Sequence, residues 1–320
     1  MTDYSIFYRR SINVDRIGKE TPMFDSFISA YNSSERVGRV FDAVNARQKY
    51  WLLHPEYCYT PLEEPNNAIV IRPANADEVV QVGAIVDSLG GEGVLPGLSI
   101  CIDITGFMRH VLVFLVAKFS YCGVRSVTFL YSEPVAYVRQ EDTPFSTTTS
   151  GLVRPIRGMS GVGVSGDKDN LIIGVGYDHK LISEVVNNKD DAEVYPVFGF
   201  PSLGADMYQQ SALRASESGD VALSGAWVSN RKFAPANDPF STAQAVSNIV
   251  NKIDRKYGAS NIYLSPLSTK AQTLGFAVYW LLEGVVRGGV TILMPECTTY
   301  SRETSLGTKR LWLYEVELQR

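Results

Sequence analysis

Histidine is scarce in this sequence of 320 residues: His54, His110 and His179 are its three imidazoles. Its four cysteines, Cys58, Cys101, Cys122 and Cys297, are scattered without a C-x-x-C pair. So few ligands in that arrangement argue against a dedicated metal site, a zinc knuckle or a disulfide frame, and reduced thiols of this kind suit a cytoplasmic protein. No histidine stands beside a serine elbow, so a Ser-His-Asp assembly is not proposed. A basic excess is also missing. The net charge of -4 gives no broad footprint for duplex nucleic acid, although a local basic pocket is compatible with it. Long apolar runs are missing too: the longest, 111–117 and 276–282, fall well short of the roughly 20 residues that cross a bilayer. The first 20 residues are polar and charged rather than an apolar core behind a basic cap, so neither a secretory signal nor a membrane association is expected. Dinucleotide and Walker A fingerprints are absent as well. The pair Gly174-x-Gly176 lacks the third glycine and its spacing, so NAD is rejected and no cofactor is expected.

What is present is a repeat. Residues 99–141 and 261–303 each run from an apolar strand through a polar turn into an apolar helix, then a glycine, a second apolar strand and a Tyr-x-Arg tail. The repeat extends further, since the strand ending at Tyr31-Asn32 and its helix are matched by the strand ending at Tyr177-Asp178 and its helix. Alternating apolar runs and helix-period segments, with Ser34 and Asp238-Pro239 at helix starts, predict parallel strands and crossover helices. The predicted fold is α/β, with two tandem Rossmann-like β/α halves related by a pseudo-two-fold axis through internal duplication. The expected boundaries are 1–150 for the first half, a Ser/Thr/Gly/Arg-rich linker over 151–170, and 171–320 for the second half with an insertion near 207–232. The competing reading is one larger doubly wound sheet whose units resemble each other as all such units do.

Ligands of open α/β sheets bind beyond the carboxyl ends of the strands. The residues expected there in the first half are Tyr31, Asn32, Asp103, Thr105, Arg109, Tyr137 and Arg139; in the second they are Tyr177, Asp178, Ser265, Ser268, Thr269, Lys270, Tyr300 and Arg302. Small hydroxyls at a helix start hold a phosphate or simply cap the helix, and Lys270 or Arg109 adds positive charge. Each Tyr-x-Arg pair suits a nucleobase beside a phosphate, while the plain alternative has the tyrosine at the core rim and the arginine on Glu141 or Glu303. Glu56, Asp103 and Glu133 at three strand ends form a possible acidic cluster, although separate caps and surface partners are the preferred reading.

The strand-turn-helix segments resemble the CARF and SAVED families of nucleotide-sensing domains. CARF turns often read Ser/Thr-Gly-Gly-Thr-Lys; Ser268-Thr269-Lys270 keeps the Thr-Lys end without the two glycines, and the other copy keeps Thr105-Gly106 with Arg109 or Met108 in place of the lysine. SAVED domains look like two fused CARF-like units. The resemblance implies recognition of a cyclic di- or oligonucleotide second messenger in prokaryotic antiviral defence. Since no effector segment is recognised, it further implies a separate effector protein or a homo-oligomer as partner. Binding is favoured over catalysis. The alternatives are a nucleotide-processing enzyme, of phosphodiesterase (ring-nuclease) or nucleoside N-glycosidase type with Asp103, Glu133 and Tyr137 as catalytic groups, or a non-catalytic assembly subunit of a defence complex.

Overall fold

The computed structural model describes residues 2–137, 146–163, 168–204, 207–217, 225–302 and 305–319. Strand β1 (Arg9–Ile12) and the single turn α1 (Ile17–Glu20) precede β2 (Phe24–Ala30), α2 (Glu35–Ala43) and β3 (Ala46–Leu52). Then come β4 (Ile69–Ile71), α3 (Glu78–Ser88), β5 (Ile100–Asp103), α4 (Arg109–Tyr121) and β6 (Ser126–Tyr137). The chain continues with β7 (Ser146–Pro155), β8 (Asp169–Val175), α5 (His179–Asn188), β9 (Glu193–Gly199), α6 (Met207–Glu217), α7 (Gly225–Asn230) and β10 (Lys232–Ala234). It proceeds through α8 (Pro239–Tyr257), β11 (Asn261–Pro266) and α9 (Lys270–Tyr279) to β12 (Val290–Tyr300) and β13 (Ser305–Glu317).

These elements make a mixed α/β protein with two parallel-rich sheets. The seven-stranded sheet has the order β1-β13-β6-β5-β2-β3-β4, and the six-stranded sheet the order β10-β9-β8-β11-β12-β7. In the first, β4, β3, β2, β5 and β6 run parallel; in the second, β10, β9, β8, β11 and β12 do. Counted from β2 and from β8, both sets read 3-2-1-4-5, an order compatible with Rossmann-like halves, in which the switch point falls between the first and fourth strands.

The boundaries differ from those read from the sequence. One compact unit comprises Met1–Ile6 and Thr149–Cys297, the other Phe7–Thr148 and Thr298–Arg320. Residues 298–320 join the first-half elements because β13 pairs antiparallel with β6 and also with β1. Much of the expected linker is packed structure: β7 flanks β12, Ile156 and Met159 are buried, and the Ile156 N–H donates to the Ile292 carbonyl at 2.9 Å. Gly161 abuts β12 so closely that a β-carbon there would sit 2.5 Å from the Val290 nitrogen. The insertion near 207–232 corresponds to α6 and α7, whereas β3 and β4 are joined through two single 3-10 turns.

Each sheet buries its own core. In the seven-stranded unit Phe27, Val37, Val40, Phe41, Trp51, Leu130 and Leu311 pack together, with the Phe41 and Trp51 rings stacked at 3.5 Å. In the other unit Ile172, Ile173, Val197, Ile262, Leu264, Phe276 and Ile292 are buried. Burying each such side chain contributes about 1.5–3 kcal/mol. The helix starts follow local chemistry: Asp77, Asp178, Asp238 and Thr269 each accept a backbone N–H of the turn they open, satisfying donors the helix itself leaves free.

Candidate functional site

In the seven-stranded unit the turn after β2 carries unusually varied chemistry. Tyr31 packs edge-on to Trp51 at 5.3 Å and against Tyr59 at 5.0 Å. The Asn32 side chain accepts the Ser34 N–H at 3.0 Å, and the Ser33 hydroxyl lies 3.3 Å from the Tyr59 hydroxyl. Ser34 is the N-cap of α2, yet its side chain makes no capping bond. Two residues on, Arg36 is buried and donates to the Ser132 carbonyl within β6.

Asp103, at the end of β5, lies fully buried beside this turn. Its carboxylate accepts the Ser29 hydroxyl at 3.1 Å and the Thr105 N–H at 3.0 Å, and the Thr105 hydroxyl accepts the Ser132 N–H at 3.0 Å. Burial pushes the Asp103 pKa up; the Thr105 and Ser29 hydrogen bonds and the Arg36 charge oppose that rise. Gly106 closes the arrangement. A β-carbon there would meet the Ala30 carbonyl at 2.6 Å, and the Gly106 carbonyl accepts the Tyr57 hydroxyl at 3.0 Å. Three polar atoms around α2 and β6 have no hydrogen-bond partner: Ser34 Oγ, Arg36 Nε and Ser132 Oγ.

Tyr300 and Arg302 belong to this same unit, not to the strand ends around Lys270. The Tyr300 ring is 6.1 Å from Tyr57, and the Arg302 guanidinium lies 4.2 Å over Tyr59. Arg302 donates to the Tyr57 carbonyl at 2.7 Å, to the Cys58 carbonyl, and to Glu63 at 2.6 Å. The Thr60 backbone and hydroxyl, with Arg302, hold the Glu63 carboxyl down at about 2. Arg302 therefore organises the 57–63 segment, and its partner is Glu63 where the sequence suggested Glu303, which lies outside the described residues.

Glu56, Asp103 and Glu133 are each held by partners of their own. Asp103 is held as above, and Glu133 accepts the Trp312 indole N–H at 2.5 Å. Glu56 instead joins a buried chain of polar groups. The Met108 N–H at the start of α4 donates to His54 Nε2 at 3.2 Å, which leaves Nδ1 as the protonated nitrogen bonded to Gln81 Oε1 at 2.6 Å. Gln81 donates to Glu56 at 3.2 Å, and His110 Nε2 lies 3.2 Å from the same carboxylate. Burial acts to raise the Glu56 pKa, but the hydrogen bond with His110, the largest of the opposing effects, brings it below the ordinary value. Among the described residues no group of three His, Cys, Asp or Glu side chains is arranged to hold a metal.

In the six-stranded unit, Tyr177 and Asp178 follow β8, while Ser265, Ser268, Thr269 and Lys270 span the β11–α9 turn. Asp178 and Thr269 are helix caps. The Thr269 hydroxyl also donates to the Ala236 carbonyl at 2.5 Å, so it is occupied by the protein. Ser265 Oγ and Gln272 Oε1 are buried without partners. The glycine pair has a packing reason: β-carbons at Gly174 and Gly176 would meet Ser268 Oγ at 2.9 Å and the Leu267 carbonyl at 2.3 Å. The turn after the fourth strand thus lies directly on the end of the first.

Of the other expected residues, Arg109 is the first residue of α4, and Tyr137 the last of β6; Arg139 lies outside the described residues. Arg36 was absent from the sequence-derived set. Its signal is visible in retrospect, because it shares the buried stripe of α2 with Val37, Val40 and Phe41, where a charge is costly without a purpose. No protein-family model matches the chain, and neither does any curated protein.

Proposed function

We propose that this chain binds nucleotides, and that its ligand belongs to the cyclic di- or oligonucleotide second messengers, read out by a separate effector in a prokaryotic antiviral system. One observation carries the binding part. The turn after β2 brings half-buried Tyr31, a side-chain amide and hydroxyls next to Tyr59 of the 57–63 segment and the buried Arg36 of α2, at a strand end where doubly wound folds take their ligands. An aromatic face beside a cation suits a base joined to a phosphate. The shared 3-2-1-4-5 order and the equivalent positions of Asp103-Thr105 and Ser265-Ser268 support a reading as duplicated Rossmann-like halves. The second-messenger and defence assignments rest on the resemblance to CARF and SAVED domains.

Calorimetry with a panel of cyclic and linear nucleotides tests the reading. At least one nucleotide binds, and Tyr59→Ala weakens it by about fivefold to 100-fold, the scale of one lost base–aromatic contact. Absence of binding by every nucleotide in the panel would overturn the proposal.

A further inference from the structure

The six-stranded sheet ends at β10, whose outer side has no neighbouring strand among the described residues. On its inner side β10 runs parallel to β9 with Ala234 opposite Gly199, and the Phe200 N–H donates to the Ala234 carbonyl at 2.8 Å. Backbone groups alternate sides along a strand, so Lys232 and Ala234 turn theirs toward β9, while Phe233 turns its N–H and carbonyl to the open edge. Around Phe233 lies a cluster of rings. Its centroid is 6.2 Å from Phe198 of β9, 5.6 Å from Tyr208 of α6 and 6.1 Å from Phe200 just past β9, and Trp227 of α7 lies 6.4 Å from Phe198. Phe198 and Trp227 are buried, whereas Phe200 and Phe233 stay 54% and 46% exposed. Two cations stand where the strand begins: Arg231 and Lys232 are exposed, and neither has an ion-pair partner among the described residues. Glu193, which accepts the Asn230 amide at 3.1 Å, is already held by Lys168 at 3.0 Å and by the Tyr257 hydroxyl at 2.7 Å.

We infer that β10 takes an extended segment of a protein partner as a further strand, and that this segment carries acidic residues next to bulky apolar ones. The open edge at Phe233 offers a donor and an acceptor together, which another strand matches with its own backbone. Half-exposed Phe200 and Phe233 form an apolar seat beside that edge, the kind of surface that marks an interaction site. Arg231 lies two residues, or about 7 Å of extended chain, before Phe233, so the free charges of Arg231 and Lys232 call for carboxylates close to the partner's apolar residues. A lysine on a strand edge ordinarily discourages pairing; beside an exposed phenylalanine it instead selects partners by charge. This surface is framed by α6 and α7, the insertion, and the inference is independent of nucleotide binding.

Fluorescence polarisation with the full chain tests it. The probe is a labelled nine-residue peptide with two glutamates followed by alternating valine and phenylalanine, made also in reverse order because an added strand runs either parallel or antiparallel to β10. Two controls accompany it: one has lysines for the glutamates, and the other has the backbone nitrogens of its apolar stretch methylated. One order of the acidic peptide binds the wild type at least about tenfold more tightly than either control, the scale of a few surface charge pairs or backbone hydrogen bonds. The double variant Arg231→Glu/Lys232→Glu, changed only at exposed side chains, reverses the preference in favour of the lysine peptide. No binding by either order, equal affinity for the methylated peptide, or a charge preference that survives the double variant would each overturn the inference. A nine-nucleotide oligouridylate that outcompetes the acidic peptide would assign the patch to nucleic acid and overturn it as well. None of these outcomes bears on the nucleotide test of the seven-stranded unit.

Discussion

Replacing Ser132 by alanine isolates the cost of a buried hydroxyl with nothing to bond. The side chain is fully buried, and its Oγ has no partner, while its backbone N–H and carbonyl are bonded to Thr105 and Arg36 and remain so in the variant. An unsatisfied buried hydroxyl costs about 1–3 kcal/mol. The space vacated by one oxygen returns a penalty of about 0.3 kcal/mol at the usual cavity coefficient. The variant is therefore more stable than the wild type by roughly 1–2 kcal/mol, an increase in Tm of about 1.5–3 °C for a protein of this size. Urea unfolding monitored by fluorescence, with equal m-values in the two proteins, reads the difference directly. A loss of about 1 kcal/mol or more in the variant would show that the hydroxyl is bonded within the protein and would refute the reasoning.

Two further outcomes follow from close contacts and from charge. Gly106→Ala drives a methyl group to 2.6 Å from the Ala30 carbonyl, so the β5–α4 turn must shift from β2; a loss of about 1–3 kcal/mol in urea unfolding is expected, and an unchanged midpoint would contradict the packing described. Glu56 has a lowered folded-state pKa, so its contribution is full above the ordinary carboxylate value and disappears as pH falls through the folded value. Stability between about pH 5 and pH 3 therefore declines less steeply in Glu56→Gln than in the wild type, and parallel curves would refute the sign.

The alternation of strand and helix was legible because it rests on local periodicity: the apolar runs at Phe27, Ile102, Ile172 and Leu264 and the caps at Asp238 and Thr269 announce themselves within a few residues. The destination of β13 was not. Its side chains alternate as a strand should, but pairing with β6 rather than continuing beside β12 is a choice between distant partners that no short window records. The candidate site divides in the same way. Residues at strand ends could be named from the pattern, whereas Arg36 was hidden inside a helix stripe that otherwise reads as core. Gly174 and Gly176, rejected from the sequence as a dinucleotide fingerprint, accommodate the close approach of another turn, a tertiary reason invisible in the segment itself.

Strand β13 lies between β1 and β6, so β1 has no other neighbour in its sheet. On the ribosome the earliest strand therefore waits, unpaired, while almost 300 residues are made, and its edge hydrogen bonds close only when 305–317 emerge. Folding of the seven-stranded sheet is consequently completed after, and not before, synthesis of the whole six-stranded one, against the usual order in which the first-made domain folds first. A chain cut after β12 would release a sheet with two strand edges open where the intact protein has paired neighbours, and exposed edges of that kind recruit other chains.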